Sequence, residues 1–337
     1  MASQKRANLT VAVTGISGTL GLGLMPLLEA DDRVAHVTGI ARRPFDPAEH
    51  GWTKTKYQRG DVRDAQLLRD AFDGADVVVH LAFQVTGAGS SATIESVNID
   101  GTLNAFDAAA AAGARRFVFA SSVAAYGFHR DNPIGMTEDW PARPAARLFY
   151  AQEKARLEHL LRARAEAGGK DVPALYLLRP SIVAGPHAVG AKRLPRGLRG
   201  VLAGTPVRWA ARMPVRVPVP ELPLQLVHEA DVGRALLLCV VGAGPPGTYN
   251  IAADGIVTAG TVARELGIAS FPVSPRLTQA TARVLAAVPF LPPVAQWVEA
   301  ASHPAIMDTT RAKAELGWVP EFSALETLRD TLRQRQP

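Results

Sequence analysis

The fold of this chain is decided by Val11-Ala12-Val13-Thr14-Gly15-Ile16-Ser17-Gly18-Thr19-Leu20-Gly21. An apolar run leads into a loop with glycines at 15, 18 and 21, and apolar residues at helical spacing follow. A strand, a glycine loop and a helix start can hold a pyrophosphate, because backbone N–H groups at a helix N-terminus stay open when no side chains cover them. The G-x-x-G-x-x-G spacing is a variant of the dinucleotide fingerprint. We therefore expect a dinucleotide site here, and the alternative is a glycine-rich turn that binds no ligand.

Length and composition suit a large α/β domain with a smaller lobe. The chain has 337 residues, 47% of them hydrophobic, and a formal net charge of +6. A large core is therefore available, and the charge favours acidic partners only weakly. The single cysteine, Cys239, lies in an apolar helical stretch and is expected to be buried. One cysteine excludes an internal disulfide and a cysteine-based structural zinc site.

The sequence gives no sign of export or of a membrane span. The first ten residues carry Lys5 and Arg6 and no apolar signal core. The apolar stretch Val284 to Val298 is interrupted by three prolines and is too short to cross a bilayer. We expect a cytoplasmic protein that acts on a small molecule, with no nucleic acid, membrane or metal partner. A homodimer is left open.

The end of the second strand predicts which dinucleotide binds. Val34–Ala41 has strand character and ends 20 residues after Gly21, where NAD-binding folds carry Asp or Glu for the ribose 2′-hydroxyl. Here Ala41 is followed by Arg42 and Arg43. An acid would repel a 2′-phosphate, whereas guanidinium groups pair with it. This favours NADP over NAD, and the alternative is a solvated basic turn.

Strands and helices alternate along the next part of the chain. Apolar strands are expected at Ala75–Ala82, Arg116–Ala120, Ala174–Pro180 and Gly247–Ile251. His80 lies inside the first of these runs and is assigned to packing, with no chemical role. Alternating β and α elements predict a Rossmann-type, doubly wound parallel sheet.

Composition changes after residue 185. Residues 186–226 are rich in proline and arginine, and 271–300 mix prolines with bulky apolar side chains. We expect 1–185 to form the NAD(P)-binding domain, with returning segments around 227–260. Residues 186–226 and 261–337 would mainly form a smaller C-terminal substrate lobe over the carboxyl ends of the strands.

A tyrosine and a lysine with helical spacing carry the predicted chemistry. Tyr150 and Lys154 are at i and i+4 and share one helix face. Hydride transfer to a carbonyl leaves negative charge on oxygen, which a positioned acid must neutralise. A free tyrosine has a pKa near 10, and a neighbouring ammonium favours its phenolate. We therefore expect Lys154 to bring the pKa of Tyr150 toward the working range.

Taken together, the motifs resemble the extended short-chain dehydrogenases/reductases, in their NAD(P)-dependent epimerase/dehydratase branch. The resemblance covers essentially the whole chain. In order, the matching motifs are Thr14-Gly15-x-x-Gly18-x-x-Gly21, Gly60-Asp61, His80-Leu81-Ala82, Asn98-x-x-Gly101-Thr102-x-Asn104, Ser121-Ser122 with Tyr126-Gly127, Tyr150-x-x-x-Lys154, Leu178-Arg179-Pro180 with Gly185-Pro186, Val227-His228 with Asp231, and Leu316-Gly317-Trp318.

The resemblance implies roles for individual residues. Ser122 would hydrogen-bond the substrate oxygen, Tyr150 would be the catalytic acid, and Lys154 would also bind the nicotinamide ribose. Asp61 would meet the adenine amino group, and Arg179-Pro180 would line the nicotinamide side. The full expected cofactor set is Gly15, Ser17, Gly18, Thr19, Leu20, Gly21, Arg42, Arg43, Asp61, Val62, Leu81, Ala82, Tyr150, Lys154, Arg179 and Pro180.

Two departures from the family pattern bear on the substrate. Nucleotide-sugar epimerases of this branch typically have an arginine four residues before the Val-His histidine, and it holds the diphosphate. That position is Leu224 here. They also often have an asparagine two residues after the position of Arg179, which is Ser181 here, so both departures remove polar contacts to a diphosphate. We therefore favour an NADP-dependent oxidoreductase that interconverts a ketone and an alcohol on a fairly apolar molecule.

Two alternatives are kept. The first is a nucleotide-sugar epimerase or dehydratase in which the basic segment 192–216 holds the diphosphate through Arg193, Arg196 or Arg199. The second is a regulator that binds NADP without turnover. An intact set of Ser122, Tyr150 and Lys154 argues against the regulator, which has no need of it.

Overall fold

The computed structural model describes residues 8–85, 91–146, 148–188, 216–267, 269–273 and 303–333. Within these ranges the chain alternates strands and helices as the sequence predicts. The strands are Leu9–Thr14 (β1), Val34–Ala41 (β2), Thr55–Arg59 (β3), Val77–His80 (β4), Arg116–Ala120 (β5), Ala174–Pro180 (β6), Ile182–Ala184 (β7), Val217–Pro220 (β8), Pro223–Leu224 (β9), Leu226–His228 (β10), Gly247–Ile251 (β11), Val257–Thr258 (β12) and Ser270–Val273 (β13).

The helices lie between these strands. They are Thr19–Ala30 (α1), Ala65–Phe72 (α2), Ser91–Glu95 (α3), Gly101–Ala111 (α4), Phe149–Gly168 (α5), Glu229–Val241 (α6), Ala259–Glu265 (α7), Thr310–Leu316 (α8) and Ala324–Arg333 (α9). A π-helical turn, Ser96–Asp100, joins α3 to α4, and short 3₁₀ turns occur at Pro47–His50, Val123–Tyr126 and Gly169–Asp171. Among the described helices, none combines the length and apolar character that crossing a bilayer requires.

Seven parallel strands form the central sheet, in the order β3-β2-β1-β4-β5-β6-β11. The order runs outward in both directions from β1 and β4, which pair directly, with Val13 opposite Val79. This is the doubly wound topology, and the predicted fold class is confirmed. In such sheets ligands bind outside the carboxyl ends of the strands where the order reverses. The glycine loop follows β1 and Leu81-Ala82 follow β4, so both lie at that point.

Each face of the sheet buries its own apolar core. Val11 and Val13 of β1 pack on one face with the helices α1 and α6, whereas Ala12 packs on the other face with α2, α4 and α5. This alternation follows from the two-residue period of a strand. Cys239 is fully buried in the first core, as expected, and burial raises the pKa of its thiol.

The C-terminal part of the chain returns to the first core. Strand β11 adds an edge to the main sheet, and Ala312, Leu316 and Trp318 pack among the residues of the α1/α6 core. The stretch around α8 therefore supports the dinucleotide-binding domain, although it falls in the range expected mainly for the lobe. The domain division itself stays a prediction, because most of 186–226 and 271–300 lies outside the described residues, as does Val284 to Val298.

Candidate active site

The glycines of the loop after β1 allow its backbone to pack closely against neighbouring backbone segments. Gly15 has φ +79°, and a Cβ there would lie 2.7 Å from the backbone N of Ala82. A Cβ on Gly21 would lie 2.3 Å from the carbonyl oxygen of Ile16. Real carbon atoms do not approach so closely, so any side chain would force the β1 loop away from β4 or from α1. The glycines therefore hold the loop flat against the strand switch point.

The N-terminus of α1 is open toward this loop. Gly18 is the N-cap residue, so no side chain caps the helix, and its first turn contains no acidic residue. The first N–H groups of a helix have no partner inside it, and the helix dipole adds partial positive charge. A pyrophosphate fits this arrangement, since it needs several backbone donors and a close approach. Thr19 is anchored beside it, because its hydroxyl donates to the carbonyl of His187 at 2.8 Å.

Two adjoining cavities extend from the glycine loop. Both include Gly15, Gly18, Thr19, Leu81 and Phe83 among their described lining residues. The larger, about 480 Å³, also contains Leu20, Gly21, Ser122, Tyr150, Lys154 and Pro180. The smaller, about 320 Å³, also contains Ser17, Ala41, Arg42, Arg43, Val62 and Ala82. Together they make one cleft along the carboxyl ends of the strands. Arg42 and Arg43 lie at its arginine end, and Ser122, Tyr150 and Lys154 lie at its Ser-Tyr-Lys end.

At the smaller cavity, Arg42 and Arg43 are exposed. The Arg42 Nη1 lies 3.4 Å from Oε1 of Gln84, and the Tyr57 hydroxyl donates to the carbonyl of Ala41 at 2.8 Å. Tyr57 also contacts the carbonyl of Arg43, so it holds the turn that presents both guanidinium groups.

Asp61 differs from its neighbours Gly60 and Val62, which do line the smaller cavity. Its carboxylate accepts hydrogen bonds from the Arg63 side chain at 3.0 and 2.8 Å and from the Arg63 backbone at 3.0 Å. The hydrogen bonds from the Arg63 side chain, more than its charge, lower the pKa of Asp61. The expected contact between Asp61 and adenine stays a prediction.

The Ser-Tyr-Lys end brings the three expected catalytic side chains together. Ser122 follows β5, and its Oγ accepts from the backbone N of Ala124 at 3.1 Å. The same hydroxyl hydrogen-bonds Tyr150, which lies in the first turn of α5. Burial raises the pKa of Tyr150, and the bond to Ser122 offsets only part of that effect. The phenol is therefore protonated at neutral pH.

Lys154 lies deeper in the same wall. Its Nζ donates to the carbonyl of Ala120 at 2.7 Å and lies 3.5 Å from the centroid of the Phe83 ring and 4.7 Å from that of Phe119. Burial lowers the pKa of Lys154 to about 7, although the charges of Glu153 and Glu158 act in the opposite direction.

This arrangement corrects the expected effect of Lys154 on Tyr150. The sequence predicted an ammonium that lowers the pKa of the phenol, but the pKa of Tyr150 is raised. The physical reason is that burial acts on both groups: it disfavours the phenolate and it disfavours the ammonium that would stabilise the phenolate.

Arg179 also needs a correction. Pro180 lines the larger cavity as expected, but the guanidinium of Arg179 is 2% exposed and binds Glu158, with Nη2 2.5 Å from Oε2 and Nε 2.9 Å from Oε1. Successive side chains of a strand point to opposite faces, so neighbours in β6 cannot both face the cleft. Burial of Glu158 acts to raise its pKa, but the hydrogen bonds and charge of Arg179 outweigh it and hold that pKa below its usual range.

Asn98 had no assigned role in the sequence analysis, but its side chain connects two parts of the site. Asn98, in the π-helical turn, donates from Nδ2 to the carbonyl of Gln84 at 3.0 Å and to Glu153 at 2.7 Å, and its Oδ1 accepts from the Gln84 backbone at 2.7 Å. It therefore ties the end of β4 to the helix that carries Tyr150 and Lys154. The Asn98-x-x-Gly101 motif was the available signal, but no pattern indicates Glu153 or Glu158 as its partners.

His80 is fully enclosed and bonded at both ring nitrogens. Nδ1 lies 2.8 Å from Thr14 Oγ1, and Nε2 lies 3.0 Å from Thr102 Oγ1. Burial lowers its pKa to about 3. The prediction that His80 is packed in the interior is confirmed.

The remaining described wall of the larger cavity is mostly apolar. Its apolar members include Val85, Val123, Phe128, Ile182, Leu222 and Leu224. Gln225 is the polar neighbour of Leu224, and both ends of its amide bond the Met307 backbone, with Nε2 3.0 Å from the carbonyl and Oε1 2.9 Å from the backbone N. Arg193, Arg196 and Arg199, the candidate diphosphate ligands, lie outside the described residues.

Comparison with known proteins agrees with this geometry. The family model described as "NAD dependent epimerase/dehydratase family" matches residues 11–252. An uncharacterized protein of Mycobacterium tuberculosis is 29% identical over 332 residues, which are 96% of this chain and 84% of that protein. The L-arabinose 1-dehydrogenase (NAD(P)(+)) of Haloferax volcanii is 37% identical over 112 residues, which are 33% of this chain and 40% of that protein.

Solved structures share the fold over nearly the whole chain. The UDP-glucose 4-epimerase of Thermotoga maritima, with UDP-glucose, superposes with a TM-score of 0.71 at 21% identity, over 97% of this chain and 98% of that one. The dTDP-glucose 4,6-dehydratase of Bacillus anthracis, in complex with NAD, gives a TM-score of 0.70 at 16% identity, over 97% and 96%. The chain therefore belongs to the NAD dependent epimerase/dehydratase family, as an NAD(P)-dependent enzyme of the extended short-chain dehydrogenase/reductase type.

Proposed function

We propose that this enzyme uses NADP to interconvert a ketone and a secondary alcohol on a small, fairly apolar molecule. One observation carries the proposal: Ser122, Tyr150 and Lys154 meet at a cavity whose other described walls are mostly apolar. A site of this kind binds ligands by apolar contact and orients them with a few polar groups.

The residues divide the chemistry between them. The bound dinucleotide would supply or accept the hydride. Tyr150 is protonated at neutral pH because burial raises its pKa, so in the reductive direction it donates its proton to the carbonyl oxygen. Ser122 lies within hydrogen-bond reach of Tyr150 and orients the same oxygen. The buried amine of Lys154 lies one helical turn from Tyr150, and it can return a proton to Tyr150 after the phenol has donated its own.

The preference for NADP rests on Ala41, Arg42 and Arg43. A charge-assisted hydrogen bond contributes roughly 1.5–3 kcal/mol, so we expect NADP to bind at least about tenfold more tightly than NAD. Calorimetric titration with both cofactors measures this ratio. Replacing Arg42 and Arg43 together by Gln should bring it near one, with NAD affinity little changed. Equal affinities in the natural protein would contradict the preference.

The alternative is a nucleotide-sugar epimerase or dehydratase, because both solved relatives named above act on nucleotide sugars by their titles. Leu224 in the described wall argues against it, since an unpaired diphosphate in a partly dry cleft is strongly disfavoured. UDP is the simplest probe, because it carries the diphosphate without the sugar. We expect weak UDP binding by the natural protein and tighter binding by Leu224→Arg. Micromolar binding that is lost when Arg193, Arg196 and Arg199 are replaced would favour the epimerase.

A further inference from the structure

Ser181 connects β6 of the main sheet to β7, which pairs in parallel with β10. It lies at the Ser-Tyr-Lys end of the cleft. Its backbone N donates to the carbonyl of Ile251 at 2.9 Å, so its position is fixed by the sheet. The residue is 5% exposed and lines the larger cavity with Pro180 and Ile182. Its hydroxyl, however, is shielded from water and has no hydrogen-bond partner among the residues that the structure describes.

Several other polar side chains of the described wall already have hydrogen-bond partners. Ser121 donates to Glu158 at 2.5 Å, Gln225 is paired with Met307, and Lys154 donates to Ala120. Ser122 accepts from Ala124 and bonds Tyr150. Among the side chains of the described lining, Ser181 is thus distinguished by a buried hydroxyl that remains unsatisfied. Such groups are rare in folded proteins and disfavour folding unless something else pairs with them.

We propose that the Ser181 hydroxyl turns into the cavity and pairs with an uncharged hydrogen-bonding group of the bound ligand, either the nicotinamide carboxamide or a second oxygen of the substrate. A change between staggered χ1 wells moves only the hydroxyl, and the backbone bond to Ile251 is kept. The proposal rests on the proposed function for its choice of ligands.

The surroundings select an uncharged partner. Pro180, Ile182 and Leu224 line the same cavity, and an ion placed against these apolar side chains would lose its hydration without gaining a counter-charge from them. The nearby amine of Lys154 is already bonded to Ala120. A carboxamide or hydroxyl meets these conditions, whereas a carboxylate or phosphate does not.

The cofactor arm of the test needs no turnover. We compare dissociation constants of NADP⁺ and of 2′-phospho-ADP-ribose, which lacks nicotinamide, for the natural protein and for Ser181→Ala, Ser181→Thr and Ser121→Ala. If the carboxamide is the partner, Ser181→Ala weakens the binding of NADP⁺ by about 3- to 10-fold and leaves the dissociation constant of 2′-phospho-ADP-ribose unchanged. Ser181→Thr, which keeps a hydroxyl, should retain most of the affinity for NADP⁺ that Ser181→Ala loses.

The substrate arm uses the matched ketones 4-hydroxycyclohexanone and 4-methylcyclohexanone. If a substrate oxygen is the partner, Ser181→Ala leaves both cofactor constants unchanged and removes the preference of kcat/KM for the hydroxylated ketone. If the natural protein turns over neither ketone, the proposed function is in question and the cofactor arm alone decides.

Thermal unfolding separates a ligand-binding role from a structural one. Ser181→Ala should leave the Tm of the free protein unchanged or raise it, because no bond is lost. The control Ser121→Ala should lower the Tm, because it removes the bond to Glu158, and should leave the ratio of the two cofactor constants unchanged. If Ser181→Ala changes neither the ratio of the two cofactor constants nor the ketone preference, the proposal is overturned, and a lowered Tm would then assign Ser181 a structural role.

Discussion

Among the buried charged groups of helix α5, Lys154 and Glu158 lie one turn apart and have different surroundings. Lys154 is 3% exposed and faces a carbonyl and aromatic rings, so burial lowers its pKa to about 7. Glu158 is 1% exposed but accepts from Ser121 and Arg162 as well as Arg179, and it keeps its charge. The group in the cleft can gain or lose a proton near neutral pH, whereas the paired group cannot.

This contrast separates a reacting site from its support. A group that exchanges protons must lack a strong counter-ion, since a counter-ion would fix one protonation state. The Glu158–Arg179 pair instead joins α5 to β6 behind the cleft. Changes on the Lys154 side should therefore alter activity and its pH dependence, and changes on the Glu158 side should alter stability.

The largest effect is expected on the reacting side, at Tyr150. Tyr150→Phe removes the proton donor while keeping the ring against Phe83, at a centroid distance of 5.6 Å. Turnover should fall by about 10²- to 10⁴-fold, the usual contribution of a general acid. Steady-state kinetics gives the loss, and calorimetry should find the NADP dissociation constant nearly unchanged. Turnover at the natural rate would remove Tyr150 from the mechanism.

On the supporting side, Glu158→Gln should be strongly destabilising. It leaves the buried Arg179 without its counter-charge, and breaking a buried pair costs about 3–5 kcal/mol. Urea unfolding measures the change in the free energy of unfolding. Asp107→Asn is the matched control, because Asp107 pairs with Arg164 of the same helix at the surface. Its effect should stay within about 1 kcal/mol, and equal losses in the two variants would break the comparison.

The smallest of the three effects is a pH dependence caused by Lys154. If catalysis needs the ammonium, kcat/KM should be level below pH 7 and fall about tenfold per unit above it. The pH profile of kcat/KM for the free enzyme tests this, and a level profile from pH 6 to 9 would contradict it.

The same group should affect stability with a definite sign. Lysine in the unfolded chain keeps its proton up to a pKa of about 10.4, whereas the folded protein loses it near 7. Between these values the unfolded state binds more protons, so the contribution of Lys154 to stability increases with pH. The gain in stability of Lys154→Met over the natural protein should thus be greatest at pH 6 and smaller at pH 9.

Much of the fold could be predicted because its signals are local. The predicted bounds of β2, β5, β6 and β11 agree with the structure, since short runs with apolar, aromatic or β-branched residues between turn residues favour strands. Ser122, Tyr150 and Lys154 could be assigned to one site because the order of motifs along the chain resembles that of the extended short-chain dehydrogenases/reductases.

The rest depends on contacts between distant residues. The Arg179 guanidinium faces away from the cleft because Pro180 faces toward it, and its partner Glu158 is 21 residues away. The raised pKa of Tyr150 reflects how deeply the site is buried, which spacing on a helix does not reveal. The lack of a partner for the Ser181 hydroxyl among the described residues likewise depends on side chains that are distant in sequence.

The measurement that tests the central claim most directly is the stoichiometry between NADPH consumed and product formed. Small apolar ketones and UDP-sugars would be incubated with NADPH or NADP⁺, and the cofactor followed by absorbance while product is quantified by chromatography. We predict one NADPH oxidised per ketone reduced, with the reaction lost in Tyr150→Phe. Conversion of a UDP-sugar with no net change in the cofactor, together with no ketone reduction, would contradict the account.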